Sequence, residues 1–210
     1  NNQNYFKEKY GRDTIFIPNG VSPAIIHTPE IIKEKWSLEK DNYILFLARI
    51  VPEKGVHYLI NAWKEVKKKI KTEKKLVIAG GSSHSQDYFN QIKQLINNDS
   101  SIIMTDFVCG QALQELYSNA YLYVLPSDIE GMPMSLLEAL SYGNQCLVSN
   151  IPENTEVITK DCYTFEKSNV NDLANKLIEI LNLNVNTHQK FMQVYSWDDV
   201  VNRTLDLYER

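Results

Sequence analysis

Six short apolar runs divide the chain, and a longer amphipathic stretch follows most of them. Valine, isoleucine, leucine and aromatic residues fill these runs with little polar alternation, a pattern typical of strands buried on both faces of a parallel sheet. We therefore predict six strands, at residues 43–48, 76–79, 102–104, 121–125, 145–149 and 163–165.

The stretches between the runs carry apolar residues three and four positions apart, the spacing of a helix with one buried face. A last helix is expected to begin near Ser196, whose side chain can cap it shortly before Asp198 and Asp199. The other predicted helices lie at residues 56–71, 86–97, 112–118, 134–142, 170–181 and 187–195.

The first 36 residues have a weaker pattern. Residues 1–12 are polar, with three aromatic residues on a short predicted helix. Residues 14–18 form a strand-like run that ends at the turn signal Pro18-Asn19-Gly20. From there to Trp36 we expect irregular structure on the protein surface.

The alternation of strand and helix predicts an α/β fold with an open, doubly wound, Rossmann-like parallel sheet. Ligands of such sheets bind beyond the carboxyl ends of the strands. We therefore expect the site in the loops that follow the strands, at residues 49–55, 80–85, 105–110, 126–134 and 150–155.

The stretch 126–143 holds two glutamates eight positions apart, Glu130 in a loop and Glu138 on the following helix. A carboxylate on so apolar a helix must stay hydrated or find donors, and the hydroxyls of a sugar or ribose would serve. The first turn of the helix also offers free backbone N–H groups to a phosphate. From the residues alone, two solvated surface acids are an equal alternative.

Two cations follow the first predicted strand. Arg49 comes directly after it, and Lys54 precedes Gly55 and a helix. An arginine fork and a lysine point charge at the carboxyl end of a strand suit a diphosphate, although two unrelated surface cations fit the sequence equally well.

Composition excludes several other classes of function. The net charge of −4 gives no support to a nucleic-acid partner, and no apolar run is long enough to span a bilayer. Asp128 and Glu130 have no further metal ligands close in sequence, so we predict no metal site. Cys109, Cys146 and Cys162 lack metal-binding spacing and indicate a reducing cytoplasm.

Together these features resemble glycosyltransferase family 4, whose members have the GT-B fold. The resemblance covers almost the whole chain and consists of several motifs in the family's order. They are Ile17-Pro-Asn-Gly-Val21, Ala48-Arg-Ile-Val-Pro-Glu-Lys-Gly55, the pair Glu130 and Glu138, Asn150-Ile-Pro-Glu-Asn154 with Glu156-Val-Ile158, and Tyr195-Ser-Trp-Asp198.

The resemblance implies a role for each candidate residue. Arg49 and Lys54 would neutralise the donor diphosphate, helped by the amides of Met134 and Ser135. Glu138 would accept hydrogen bonds from the ribose. Glu130 and the Met132 amide would contact the transferred sugar, and Gly131 would take part in substrate binding. The backbone at Phe107 and Val108 would contact the base.

The resemblance also implies a retaining transferase that uses a nucleotide-diphosphate sugar and needs no cofactor or metal. In this reading the departing phosphate acts as the base. Two local departures stand out: Ala48 replaces a glycine common in the family, and Pro133 replaces a glycine whose N–H would face the sugar.

The largest departure from the family is that its first domain is missing. The resemblance implies that residues 1–13 are the end of that acceptor-binding domain and that residues 14–195 are the nucleotide-sugar-binding domain. The helix in 196–210 would return to the missing part. We therefore expect this chain to bind nucleotide but to transfer little on its own.

The expected setting of the reaction follows from the family too. The acceptor, a sugar or lipid-linked glycan, would bind through the missing domain, in polysaccharide or glycoconjugate synthesis in bacteria. The cytoplasm is the expected location, and the prediction allows peripheral association of the full-length enzyme with the inner face of the membrane. The alternatives are a nucleotide-sugar epimerase or phosphorylase of the same fold, and a non-catalytic nucleotide-binding module.

Overall fold

The computed structural model describes residues 2–82, 86–183 and 195–209. They fall into two compact units, one made of residues 24–183 and the other of residues 2–23 together with 195–209. The predicted helix at 187–195 lies largely outside the described residues.

The larger unit contains a parallel sheet whose strands lie in the order β3-β2-β1-β4-β5-β6. Its two halves run outward from the adjacent strands β1 and β4, so the predicted doubly wound α/β fold is confirmed. The strands are β1 Tyr43–Leu47, β2 Lys75–Ala79, β3 Ile102–Asp106, β4 Leu122–Leu125, β5 Cys146–Ser149 and β6 Tyr163–Phe165.

Helices cover both faces of this sheet. In the larger unit they are α2 Ile31–Trp36, α3 Val56–Lys69, α4 Gln86–Ile96, α5 Gly110–Asn119, α6 Met134–Ser141, the short α7 Pro152–Thr155 and α8 Val170–Asn182. Strands β4 and β5 are buried at every residue and β1 at all but Leu47, as a sheet covered on both sides requires.

Alternate residues of each strand enter different halves of the core. Ile44 and Phe46 of β1 pack into the cluster formed with α3, α4 and α8. Tyr43 points to the opposite face, where its hydroxyl donates to the carbonyl of Leu116 on α5 at 2.7 Å. Trp63 of α3, fully buried, donates its indole N–H to the Ser101 hydroxyl at 3.0 Å.

The smaller unit contains α1 Asn2–Tyr10 and α9 Trp197–Tyr208. The prediction of a short helix near the start and a final helix capped by Ser196 is confirmed. Ser196 Oγ accepts from the Asp199 amide at 3.1 Å, and the Asp199 carboxylate accepts from the Ser196 amide at 3.0 Å. This reciprocal pair is a capping box.

Two predictions for the first 36 residues are wrong. The run 14–18 forms no strand: Ile15 and Phe16 are each 58% exposed, and neither pairs with the sheet. The segment that we expected to be irregular through Trp36 contains α2. The predicted domain division at residues 13 and 195 concerns a longer protein and stays a prediction.

Candidate functional site

Two loops at the carboxyl edge of the sheet pack backbone against backbone. One follows β1 and ends in the single 3₁₀ turn Pro52–Lys54, and the other follows β4. The Asp128 amide donates to the Glu53 carbonyl at 2.8 Å. Gly55, at φ +67°, has no room for a side chain because its Cβ would overlap the Pro126 carbonyl oxygen.

This packing brings Lys54 and Glu130 into direct contact. The Lys54 Nζ atom lies 2.7 Å from Glu130 Oε1 and 2.6 Å from Oε2. The Ser127 hydroxyl donates to the same Oε1 at 2.6 Å. The Lys54 side chain is 16% exposed and that of Glu130 only 3%, so the carboxylate is held out of solvent by a cation and a hydroxyl. Sequence analysis selected both residues but did not pair them.

Arg49 is in a different state from Lys54. It is exposed, and within the described part of the chain its guanidinium forms no hydrogen bond or ion pair. It lines a cavity of about 160 Å³ with seven other residues: Leu47, Ala48, Ala79, Gly80, Gly81, Phe107 and Val108. The structure therefore places Arg49, the predicted phosphate ligand, in the same cavity as Phe107 and Val108, which we assigned to the base of the nucleotide.

Gly80 matters to the shape of that cavity. Its φ is +154°, and a Cβ there would overlap the carbonyl oxygen of Ala48. The loops after β1 and β2 can therefore approach one another only with glycine at this position. Phe107, from the loop after β3, is 77% exposed at the cavity's rim.

Ser135 and Glu138 of α6 share one face with Tyr142, the residue that caps the end of this helix, as their spacing predicts. Glu138 is half-buried, and its Oε2 accepts from the Tyr117 hydroxyl at 2.9 Å. Ser135 Oγ accepts from the Tyr123 hydroxyl at 2.8 Å. The Tyr142 ring stacks on that of Tyr117, with centroids 5.2 Å apart.

The start of α6 offers fewer free amides than we expected. Pro133 occupies the cap position and has no N–H. The Met134 amide, which we assigned to a phosphate, donates to the Met132 carbonyl at 2.9 Å. The Ser135 amide forms no backbone hydrogen bond within the described residues, so it is the better placed of the two for an anion.

Asp128 serves as an anchor for the loop that carries Glu130 and Gly131. Its Oδ1 accepts from the Ser168 hydroxyl at 2.6 Å and its Oδ2 from the Tyr58 hydroxyl at 3.1 Å. Gly131 itself has open space around it.

Over residues 2–82, 86–183 and 195–209, no three acidic, histidine or cysteine side chains are grouped so as to hold a metal ion. Within the same ranges, none of the helices has both the length and the apolar character needed to cross a membrane.

The residues that sequence analysis missed are mainly tyrosines. Tyr58, Tyr117 and Tyr123 each hold a polar side chain of the site, and the first two lie on helices that the sequence predicts. The available signal was the polar tip of a tyrosine within an apolar segment, which needs a hydrogen-bond partner when buried.

Comparison with known proteins gives consistent matches. The family model described as glycosyl transferases group 1 matches residues 28–194. An uncharacterized glycosyltransferase of Methanocaldococcus jannaschii is 27% identical over 181 residues, which cover 81% of this chain and 45% of that protein. The UDP-Gal:alpha-D-GlcNAc-diphosphoundecaprenol alpha-1,3-galactosyltransferase of Escherichia coli is 28% identical over 210 residues, covering 91% and 53%.

A solved structure extends the match to the fold. The crystal structure of Anabaena HepE in complex with UDP and glucose superposes with a TM-score of 0.78 at 18% identity, covering 99% of this chain and 59% of that one. The predicted fold, one half of a GT-B glycosyltransferase, is confirmed. The chain spans about half the length of the curated relatives it matches. The match to the family model extends over most of the chain, which therefore belongs to the glycosyl transferases of group 1.

Proposed function

We propose that this chain is the donor-binding half of a retaining glycosyltransferase and that it binds a nucleotide-diphosphate sugar at the carboxyl edge of its sheet. The observation that carries the proposal is the meeting of a cation, an open apolar cavity and the α6 carboxylate face at that edge. Tyr123 links them, because its hydroxyl lies 3.3 Å from the carbonyl oxygen of Leu47, in the cavity wall, and 2.8 Å from Ser135 Oγ.

The diphosphate would bind between the loop after β1 and the start of α6. Arg49 is exposed and free to form a bidentate contact with phosphate oxygens. Lys54 has three N–H donors, of which Glu130 occupies two, so one remains for the diphosphate. The Ser135 amide would add the partial positive charge of a helix start. These groups would stabilise the negative charge that develops on the leaving diphosphate.

The nucleoside would occupy the cavity beside Arg49. Its apolar walls suit a planar base, and the backbone at Phe107 and Val108 supplies polar groups at the rim. Glu138 keeps its Oε1 without a hydrogen bond among the described residues, in position to accept from a ribose hydroxyl.

The sugar would sit against the loop after β4, where Glu130 and the Met132 amide are the assigned contacts and Gly131 leaves open space. In a retaining transfer, the bond from the sugar's anomeric carbon to the diphosphate oxygen breaks as an acceptor hydroxyl attacks from the same face. The departing phosphate oxygen takes the acceptor's proton, so no protein side chain is needed as the base.

The acceptor and the setting follow from the rest of the protein. Because the relatives are about twice as long as the matched part, we propose that the acceptor binds to another domain. We further propose a role in polysaccharide or glycoconjugate synthesis, as the name of the Escherichia coli relative suggests. Three free thiols support a cytoplasmic location, and peripheral membrane association stays part of the proposal.

Calorimetric titration with UDP, GDP and ADP in the presence of a chelator tests this function. One nucleotide should bind to the parent chain, and Arg49→Ala and Glu138→Ala should each weaken it by about 1.5–3 kcal/mol, the value of a hydrogen bond to a charged group. Arg12→Ala removes another exposed arginine and serves as the control. Absence of binding by all three nucleotides, or equal affinity in all variants, would contradict the proposal.

A further inference from the structure

Two buried tyrosines donate hydrogen bonds to polar side chains of α6. Tyr117 lies on α5 and is 1% exposed, and Tyr123 lies on β4 and is fully buried. Their ring centroids are 6.2 Å apart. Each hydroxyl reaches a different side chain of α6, and those two side chains are the ones that the proposed function assigns to different parts of a nucleotide.

Tyr117 holds one oxygen of Glu138. Its hydroxyl lies 2.9 Å from Oε2 and leaves Oε1 for a ligand. Burial, together with the nearby Tyr123 and Glu138, raises the pKa of Tyr117 well above its usual value, so this hydroxyl stays protonated and can only donate here. The Tyr142 ring stacks on that of Tyr117 and restrains the ring that carries this hydroxyl.

Tyr123 acts in the same way on Ser135. Its hydroxyl donates to Ser135 Oγ at 2.8 Å. A serine oxygen that accepts one hydrogen bond keeps its own proton for another acceptor. Burial raises the pKa of Tyr123 well above its usual value, so this hydroxyl keeps its proton. Ser135 is thereby turned into a donor toward whatever anion lies above the start of α6.

We infer that Tyr117 and Tyr123 are positioning residues for two separate parts of the ligand. Tyr117 aligns Glu138 with the ribose hydroxyls, and Tyr123 directs the Ser135 hydroxyl to the diphosphate. This inference rests on the proposed function, since it assigns a division of labour within the same site.

Simple core packing is the competing explanation, because any buried tyrosine hydroxyl needs a partner. Backbone carbonyls would meet that need here: Ser135 O lies 3.2 Å from the Tyr117 hydroxyl and Leu47 O lies 3.3 Å from that of Tyr123. In both cases the shorter contact is to the α6 side chain. A test must therefore measure ligand discrimination as well as stability.

The experiment uses the whole 210-residue chain and three tyrosine-to-phenylalanine variants. Tyr117→Phe and Tyr123→Phe remove the two donors. Tyr43→Phe is the matched control, since its equally buried hydroxyl donates to Leu116 O at the opposite end of the sheet. The tightest binder among UDP, GDP and ADP is titrated together with its 2′-deoxy and 3′-deoxy forms and with the uncharged nucleoside.

The two variants should change two different affinity ratios. Tyr117→Phe should weaken binding of the nucleoside diphosphate roughly 3- to 10-fold and reduce the ratio of its affinity to that of the deoxy forms. Tyr123→Phe should weaken binding of the nucleoside diphosphate to a similar extent. In this variant the ratio of its affinity to that of the uncharged nucleoside should fall, and the ratio to the deoxy forms should stay unchanged. Tyr43→Phe should leave both ratios as in the parent chain.

The outcomes separate this inference from the proposed function. If the parent chain binds no nucleotide, the proposed function is contradicted. If it binds one and neither ratio changes in Tyr117→Phe or Tyr123→Phe, the site stands and the positioning roles are overturned. If one variant does not fold, the other still tests its own ratio. If both fail to fold, the hydroxyls serve stability and the inference is overturned.

Discussion

Lys54 and Glu130 form a buried ion pair that joins the loops after β1 and β4. The Lys54 Nζ atom lies within 2.7 Å of both carboxylate oxygens, although the residues are 76 positions apart in sequence. The Glu130 side chain is only 3% exposed, so its charge depends on Lys54 and on the Ser127 hydroxyl for compensation. The pair therefore holds the two loops together and is also part of the proposed donor site.

Breaking this pair from one side should destabilise the protein. Lys54→Met leaves the buried Glu130 carboxylate without its cation, which should lower the free energy of unfolding by about 3 kcal/mol. Urea denaturation followed by circular dichroism measures the change. The double variant Lys54→Met/Glu130→Leu should recover much of the loss, because it removes both charges.

An exposed ion pair provides the control. Lys33 and Glu39 are 2.9 Å apart, with side chains 61% and 60% exposed. Lys33→Met should cost less than about 1 kcal/mol. Equal losses in Lys33→Met and Lys54→Met would show that the Lys54–Glu130 pair is no stronger than a surface contact.

Alanine variants of three glycines distinguish the cost of backbone strain from the cost of steric overlap. Gly55 has φ +67°, and a Cβ there would overlap Pro126, whereas Gly110 has φ +62° with nothing within 4 Å. Gly131 has neither restriction. Replacement by alanine should leave stability within about 0.5 kcal/mol at Gly131. The same change should cost about 1–2 kcal/mol at Gly110 and about 3 kcal/mol or more at Gly55.

Thermal and urea unfolding of the three alanine variants measures this order. If Gly55→Ala cost no more than Gly110→Ala, the two loops would have room to separate, and the close approach of Gly55 to Pro126 would not constrain the site.

Sequence predicts the sheet well because the strands are buried on both faces and read as continuous apolar runs. Their predicted bounds differ from the observed ones by at most two residues, and those of β6 are identical. Helix α2 escapes prediction because its start depends on a distant residue: the Glu115 carboxylate accepts from the amides of Glu30 and Ile32. The run at 14–18 has strand-like residues, but a strand also needs a partner, and it has none in the described sheet.

The candidate site is predictable at the level of loops and not at the level of contacts. The rule that ligands bind at the carboxyl ends of parallel strands leads to Arg49, Lys54 and Glu130. Glu138 is selected as an acid on the helix that follows the loop of Glu130. Spacing cannot reveal that two of them pair, or that Tyr117 holds a third, since these contacts join elements remote in sequence. The roles of all four toward a donor stay predictions.

The same Glu115 should make stability depend on pH. Burial alone raises the pKa of this fully buried carboxyl, but hydrogen bonds from the Ile32 amide, the Gln111 side chain and the Glu30 amide outweigh it, so that the pKa lies below its ordinary value of 4.5. A depressed folded-state pKa contributes stability that is present above pH 4.5 and is lost as pH falls through the folded pKa.

Glu115→Gln should remove that part of the pH dependence. Its free energy of unfolding should fall by about 1–3 kcal/mol at pH 7, since the amides of Glu30 and Ile32 lose their charged acceptor. As pH falls below 4.5 and through the folded-state pKa, the difference from the parent chain should shrink. Glu156→Gln, at an exposed position, is the control for loss of one carboxylate. A constant difference at all pH values would contradict the linkage.

Cys162 should be the thiol whose reactivity persists in mildly acidic solution. It lies next to Cys146 across strands β5 and β6, where Leu147 pairs with Tyr163. The neighbouring Cys146 side chain, with help from Thr159, lowers the pKa of Cys162 to about 6, against the opposing effect of partial burial. Burial raises the pKa of Cys146 well above its usual value, so its thiol keeps the proton, which it donates to the Asn144 carbonyl at 3.4 Å.

Alkylation by iodoacetamide, followed by peptide mass spectrometry, tests this arrangement because the thiolate is the reactive form. The rate at Cys162 should rise with a midpoint near pH 6 and level off by neutral pH. Cys146→Ala removes the neighbouring thiol, so the midpoint should move up toward the ordinary value of 9.0. Cys146→Ser retains a hydroxyl donor and should restore part of the shift. An unchanged midpoint in Cys146→Ala would assign the low pKa to Thr159 instead, and Thr159→Val would then have to raise it.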